Sequence, residues 1–171
     1  MRLFARGRLA SSGYALAGFG LIFVGITAMQ DGMSAMQGLI TPETLPPDTW
    51  SGRILIVLLG MLATVITQSS SAGVAATMTA LYAGAISFEQ GLALIIGMDI
   101  GTTITAMLAT IGSTTGARRT GVSHIIYNLY SGACALLLIT PYISAWQYFK
   151  PDGLLQNAEI ALVAFHTLFN I

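Results

Sequence analysis

The polar tetrapeptide Gln68-Ser69-Ser70-Ser71 lies between two apolar arms, residues 54–67 and 72–83. An unsatisfied polar group is costly in hydrocarbon, so such a cluster is retained at membrane depth only where it lines a cavity or faces protein. The first arm, of about 14 residues, reaches roughly 21 Å, which is less than the roughly 30 Å of a hydrocarbon core. The pattern predicts a re-entrant helical hairpin over residues 53–84, and a single tilted helix over 54–83 stays open as the alternative.

The composition is typical of a membrane protein. Of 171 residues, 54% are hydrophobic and 8% are charged, and the mean hydropathy is +0.75. Seven basic and seven acidic residues are too few and too scattered for a nucleic-acid surface. Cys134 is the single cysteine, which excludes a disulfide within the chain and favours a packing role. The sequence has no nucleophile elbow, Gly-Lys phosphate loop or paired carboxylates, so it does not indicate an enzyme.

The other apolar segments complete an all-α membrane fold. We predict a helix over about 13–30, a helix over about 91–112 that is broken at 99–103, a helix over about 120–140, and the start of a further helix over about 158–171. The break is expected because Gly101 precedes β-branched threonines, which are poor helix formers. Residues 1–29 also have the outline of a signal peptide, and that alternative stays open.

Charge patterning predicts the orientation. Basic residues favour cytoplasmic loops. The arginine-rich N-terminus is therefore expected in the cytoplasm, and the loop near 31–49, which has no Lys or Arg, outside. A hairpin followed by one crossing then brings Arg118 and Arg119 to the cytoplasm, whereas a single helix over 54–83 places them outside. The prediction is a multi-pass protein of the lipid bilayer of the plasma membrane, or of the inner membrane if the source is bacterial.

The side chains of the tetrapeptide suit an anion that has to be released again. Serine hydroxyls and the Gln68 amide are neutral groups that donate and accept hydrogen bonds. In a hairpin, the backbone N–H groups near 70–73 lie at a helix N-terminus, which attracts anions. Phosphate, sulfate and a carboxylate all fit this chemistry. The alternative is that the serines only cap the second arm or join helices.

A second group of polar residues, Asp99, Thr102, Thr103 and Thr105, lies within the segment 91–112. Hydroxyl, carbonyl and carboxylate oxygens are the ligands that a hard cation prefers, so these residues are candidates for a coupling-ion site. Asp99 is the only acid in any apolar span, which indicates a function. A protonated carboxyl and a pairing with an arginine stay open for Asp99.

The pattern His-x-x-aromatic-Asn occurs twice, with His124 and Asn128 and again with His166 and Asn170. Residues four apart share one face of a helix. The nearest acids are distant in sequence, so the pattern does not indicate a transition-metal site. We expect these four side chains to make polar contacts between helices.

Taken in order, these motifs resemble the type II sodium/phosphate cotransporter family. The resemblance rests on residues 67–72, 96–106 and 117–119 and on the two His-x-x-aromatic-Asn segments. It implies sodium-driven uptake of inorganic phosphate by two inverted repeats, each with a Gln-Ser-Ser-Ser hairpin. It further implies that Gln68 to Ser71 contact phosphate and sodium, that the threonines after Gly101 contact sodium, and that no other cofactor is needed.

The sequence departs from this family in two ways. Asp99 stands where the family usually has Asn, and an extra cation, a proton or an altered substrate preference would each account for it. The chain has one Gln-Ser-Ser-Ser segment and is more similar to the second repeat. It is therefore expected to need a second repeat, from a longer protein or from another half-size subunit. A non-transporting membrane subunit, and a transporter of sulfate or a carboxylate, are the competing interpretations.

Overall fold

The computed structural model describes residues 8–35 and 38–171, and this part of the chain is helical without any β-strand. The helices are α1 (Arg8–Ala35), α2 (Trp50–Thr67), α3 (Ser70–Tyr82), α4 (Phe88–Leu108), α5 (Thr115–Phe149), α6 (Gly153–Gln156) and α7 (Ala158–Phe169), with a short 3₁₀ turn at Pro42–Thr44. By length and composition α1, α2, α4 and α5 are able to cross a membrane. The predicted all-α membrane class is confirmed. Arg2 and Arg6, on which the orientation partly depends, lie outside the described residues.

Helix α4 lies at the centre of the bundle. It contacts α2, α3, α5 and α7, and it contributes more residues to the main hydrophobic core than any other helix. Leu92 and Ile96 of α4 are buried against Ile56 of α2, Ile139 of α5 and Leu162 of α7. A helix that is apolar all round is stable only when protein or lipid covers every face. Over residues 90–103 the covering is mostly protein, and this part of α4 is the scaffold of the site.

Glycines bring α2 and α4 into backbone contact. A Cβ atom added to Gly60 would fall on the carbonyl oxygen of Leu94, and one added to Gly97 would fall on the carbonyl oxygen of Val57. Small residues permit such an approach between helices. Gly101 makes the next contact, with Met61. Residue numbers rise together along both helices, so α2 and α4 run parallel.

Helix α3 runs back along α4. Gly73 lies against Met98, and Gly91 lies against Thr77, so the numbers along α3 and α4 run in opposite directions. Since α2 is parallel to α4, α2 and α3 form an antiparallel helical hairpin. The backbone turns at Gln68, whose φ of 55° is left-handed, which excludes one continuous helix. The depth of this hairpin in a bilayer stays a prediction.

Both ends of the hairpin lie at the same end of the bundle. Buried Gln90, in the first turn of α4, donates through Nε2 to the carbonyl oxygens of Pro42 (2.8 Å) and Pro46 (3.1 Å). These bonds join the start of α4, which directly follows the turn after α3, to the loop before α2. At this end the buried guanidinium of Arg53 donates to Asp48 and to Thr140 of α5. The base of the hairpin is thus fixed to the body of the protein.

The predicted break in the helix over 91–112 is wrong, because α4 is unbroken from Phe88 to Leu108. The hydroxyls of Thr102 and Thr103 donate to the carbonyl oxygens of Asp99 (2.6 Å) and Ile100 (2.7 Å) of the same helix. The absence of a Cβ at Gly101 lets α2 pack there. Tertiary packing and internal hydrogen bonds therefore outweigh the low helix propensity of this segment.

The helix predicted over 120–140 is also longer in the structure. The helix starts at Thr115 because Thr114 Oγ1 caps it by accepting the backbone N–H of Ala117 (3.3 Å). Arg118 and Arg119 therefore lie in a helix instead of a loop. The helix continues through Pro141, which membrane helices tolerate. The segment beyond Pro141 is held by Tyr142, whose hydroxyl donates to the carbonyl oxygen of Ala161 (2.6 Å).

The first arm of the hairpin begins earlier than the sequence predicts. Thr49 Oγ1 accepts the N–H of Gly52 (3.1 Å), so α2 begins at Trp50 and has 18 residues. At about 1.5 Å per residue it reaches roughly 27 Å. The premise that this arm is far too short to cross the hydrocarbon core is therefore wrong. The hairpin interpretation rests instead on the antiparallel return of α3.

We expect Gly97→Ala to destabilise the protein, because its new methyl group meets the Val57 carbonyl of a neighbouring helix. Overpacking of this kind costs about 1–3 kcal/mol. The measurement is thermal unfolding of the intact protein in detergent. Gly18→Ala is the matched control, because nothing lies within 4 Å of a Cβ at that position. Equal stability of both variants would contradict the close α2–α4 contact.

Candidate functional site

The tip of the hairpin presents free polar groups. The Gln68 N–H closes α2 on the carbonyl oxygen of Thr64 (2.7 Å), and Ser69 Oγ caps α3 by accepting the N–H of Ala72 (3.2 Å). In the described part of the chain, the side chains of Gln68, Ser70 and Ser71 make no hydrogen bond. Gln68 and Ser71 are exposed and Ser70 is half-buried. Three of the four predicted residues therefore have donors and acceptors available.

The N-terminus of α3 adds backbone donors to these side chains. The first N–H groups of a helix have no partner within it, and they carry the positive end of the helix dipole. In α3 these groups belong to the serines of the tip, since the helix begins at Ser70. A tetrahedral oxyanion placed here would meet N–H and O–H donors from one short segment.

The threonines of α4 lie level with the tip. Gly101 contacts Met61 and Thr64 of α2. Since α2 and α4 are parallel, the next turn of α4, residues 102–105, lies beside the last turn of α2 and Gln68. Thr103 is fully buried, and the hydroxyl of Thr105 donates to the carbonyl oxygen of Thr102 (2.7 Å). A hydroxyl whose hydrogen is engaged in this way keeps oxygen lone pairs for a cation.

Asp99 is bound by the end of α7. Asn170 Nδ2 donates to Asp99 Oδ2 at 2.8 Å, and His166 Nε2 lies 3.1 Å from Oδ2 and 3.3 Å from Oδ1. The side chain of Asp99 is only 13% exposed. Its basic partner is thus a histidine instead of an arginine. The spacing of His166 and Asn170 pointed to a shared face, but no local signal links them to an acid 67 residues away.

The other copy of the pattern makes different contacts. Asn128 Nδ2 donates to the carbonyl oxygen of His124 (3.0 Å), which belongs to the same helix, α5. The His124 side chain is exposed. In the described structure, these two residues make no hydrogen bond to another helix. One motif therefore occurs in two different environments.

Thr64 is a polar residue near the tip that the sequence did not single out. It is 1% exposed, and its hydroxyl has no partner among the described residues. It lies against Gly101, one turn before Gln68. A buried group without a hydrogen bond costs about 1–3 kcal/mol. A threonine within the apolar arm was the available signal, but its burial follows only from the packing of α4.

The profile of one family, described as Na+/Pi-cotransporter, matches residues 32–169. The chain belongs to the Na+/Pi-cotransporter family. No solved structure gives a significant match to it. Among similar proteins, the uncharacterized protein YqeW of Bacillus subtilis is 29% identical over 95% of this chain and 52% of its own length.

Two other relatives of this Na+/Pi-cotransporter chain have functional names. The putative inorganic phosphate export protein YjbB of Escherichia coli is 31% identical over 71% of the chain and 22% of its own length. The human sodium-dependent phosphate transport protein 2C is 37% identical over 48% of the chain and 14% of its own length. The chain thus spans about half of YqeW and a smaller part of the others. Family membership and the four helices that are able to cross a membrane indicate a multi-pass membrane protein.

We expect Ser69→Ala to lower the stability of the hairpin by about 1 kcal/mol, because α3 loses its N-cap. Thermal unfolding of the intact protein is the measurement. Ser71→Ala is the matched control: Ser71 is exposed and outside the capping bond, so its removal is expected to leave the unfolding temperature unchanged. An equal effect of both substitutions would contradict separate capping and ligand-facing roles for these serines.

Proposed function

We propose that this chain supplies one repeat of a sodium-coupled phosphate transporter, with phosphate held at the tip of the α2–α3 hairpin. The observation that carries the proposal is the availability of the Gln68, Ser70 and Ser71 side chains at the N-terminus of α3. Family membership supports phosphate as the oxyanion. The site is neutral apart from Asp99, so it suits an anion that is bound and then released.

Phosphate is bound by Gln68, Ser69, Ser70 and Ser71. The Gln68 amide and the Ser70 and Ser71 hydroxyls donate to its oxygens, together with the backbone N–H groups that begin α3. Ser69 contributes by position, because its hydroxyl is occupied with capping and holds the helix terminus in place. Backbone donors need no side-chain reorganisation, which favours rapid exchange of the anion.

Sodium is bound between the tip and α4. The candidate oxygen ligands are those of Gln68, Ser69, Asp99, Thr102, Thr103 and Thr105. These oxygens lie near the phosphate donors, which gives a physical basis for coupling. A cation beside the bound anion lowers the free-energy cost of placing the anion's charge in a low-dielectric site. The hydroxyl hydrogens of the three threonines already bond to carbonyl oxygens of α4. The lone pairs of the hydroxyl oxygens therefore remain available to a cation.

The hairpin is re-entrant in this proposal, with its base at the extracytoplasmic face of the plasma membrane and the N-terminus of the chain in the cytoplasm. The bonds of Gln90 and Arg53 at one end of the bundle support an anchored base. A second Gln-Ser-Ser-Ser repeat completes the site, either from the same protein or from another subunit. The two repeats then move relative to each other and expose the site alternately at the two faces.

Phosphate export is the second candidate, favoured by the relative named as a putative inorganic phosphate export protein. The same site serves both directions, since the gradients of sodium and phosphate decide the net flux. Because an imposed gradient sets the direction in vesicles, import and export are distinguished in intact cells under their native gradients: net accumulation of labelled phosphate supports import, and net loss supports export.

We expect Ser70→Ala to weaken phosphate binding about tenfold or more, because a hydrogen bond to a charged ligand contributes roughly 1.5–3 kcal/mol. The measurement is sodium-dependent phosphate uptake by the intact transporter, with the amount of protein in the membrane determined in parallel. Gln68→Gly gives an independent result: glycine accepts the left-handed backbone at this position but removes the amide. Unchanged uptake in both variants would refute the site.

We also expect phosphate to raise the unfolding temperature of the purified intact protein in sodium but not in potassium. Ligand at about 100 times its dissociation constant adds roughly 2.7 kcal/mol to stability. Equal effects in both salts would argue against coupling. Stabilisation by sulfate or a carboxylate, but not by phosphate, would indicate that the substrate is one of these anions instead of phosphate. No stabilisation by any oxyanion would favour a non-transporting membrane subunit.

A further inference from the structure

The position that a cation would take at Asp99 is filled by a side chain. His166 Nε2 lies 3.1 Å from one oxygen of the Asp99 carboxylate and 3.3 Å from the other, so it is nearly equidistant from both. A cation bound by both oxygens of a carboxylate takes the same place, in front of the two atoms. Asn170 Nδ2 donates a hydrogen bond to Oδ2 from a second direction, at 2.8 Å. One short helix therefore supplies all the donors.

Among the described residues, Asp99 has no basic partner other than His166. Arg53, the buried arginine of α2, is at the base of the hairpin and is bound to Asp48 and Thr140. A carboxylate that is 13% exposed needs donors or a cation, because an unpaired buried charge is strongly unfavourable. An ionised Asp99 therefore releases His166 and Asn170 favourably only if a cation or other donors replace them.

The two halves of α7 are held differently. Its first half is fixed in the core, where Leu162 and Phe165 are buried and the Ala161 carbonyl accepts the Tyr142 hydroxyl. Its last turn is more exposed: Asn170 is exposed and Phe169, half-buried, packs on the ring of Phe165. Within residues 8–35 and 38–171, the hydrogen bonds of this turn to another helix are those to Asp99. The last turn is thus able to leave α4 while Leu162 and Phe165 stay buried, with loss of the Phe169 contact at the edge of the core.

We propose that His166 and Asn170 are built-in competitors of sodium at Asp99. Sodium binding to the carboxylate displaces the last turn of α7, and sodium release lets the turn return. The inference rests on the proposed function, in which sodium is the coupling ion.

Hydrogen–deuterium exchange of the intact wild-type protein tests the displacement directly. We expect the amides of residues 167–170 to exchange faster in sodium than in potassium at equal ionic strength, with unchanged exchange at 161–165. Asp99→Asn is expected to abolish the sodium effect. Exchange at 167–170 that is unchanged or slower in sodium would overturn the proposal, and this readout needs no variant to fold.

A sodium titration of thermal stability tests the competition. In the double variant His166→Ala, Asn170→Ala, we expect the half-saturating sodium concentration to fall roughly tenfold, because sodium no longer displaces these donors. His124→Ala, Asn128→Ala is the matched control, since the same motif there has an exposed histidine and an intrahelical bond. A half-saturating concentration that rises in the first double variant would show that His166 and Asn170 support the ion site, and would overturn the proposal.

Phosphate-dependent stabilisation, measured on the same samples, separates this inference from the proposed function. Sodium-induced release of residues 167–170 without any phosphate effect would contradict phosphate transport and leave the competition standing. Phosphate stabilisation in sodium with no change in α7 would refute the competition and leave the transport function standing.

Discussion

The structure depends on the backbone contact between α2 and α4. Gly60 and Gly97 leave no room for a Cβ between these helices, and this contact sets their register. The register places the threonines after Gly101 beside Gln68. In hydrocarbon, where apolar burial does not favour helix association over lipid contact, such close van der Waals packing is a main source of affinity between helices. A shift along this contact would separate the candidate phosphate donors from the candidate sodium ligands.

Polar groups in this apolar chain are of two kinds. Most satisfy their hydrogen bonds locally, as Thr102 and Thr103 do with carbonyl oxygens of their own helix, and these cost little inside a bundle. Arg53 and Asp99 instead need partners from other parts of the chain, and each fixes one end of the fold: Arg53 holds the base of the hairpin, and Asp99 holds the end of α7. These charged groups, together with neutral Gln90 and Tyr142, thus give this bundle directional contacts between its elements, while glycines and aliphatic side chains supply its packing.

Much of the fold was predictable from local signals. Alternation of apolar segments with polar loops indicated an all-α membrane protein, and the polar residues between two apolar arms indicated a turn at Gln68. Helix boundaries were less predictable, because capping by Thr49 and Thr114 extended α2 and α5 toward their N-termini. The break expected near Gly101 is absent because the low helix propensity of this segment is a weak local effect. Contact with α2 determines the backbone there.

By itself, the sequence determined the membrane class, the family motifs and the residue types of the candidate site, because these follow from composition and short-range order. Only the tertiary structure decided that α3 returns antiparallel, that the α4 threonines lie level with the hairpin tip, and that Asp99 is bound by α7. His166 and Asn170 are 67 and 71 residues from Asp99 in the chain. Pairings of that range depend on how helices pack around α4, and helix packing is fixed by shape and close contact, which no local pattern specifies.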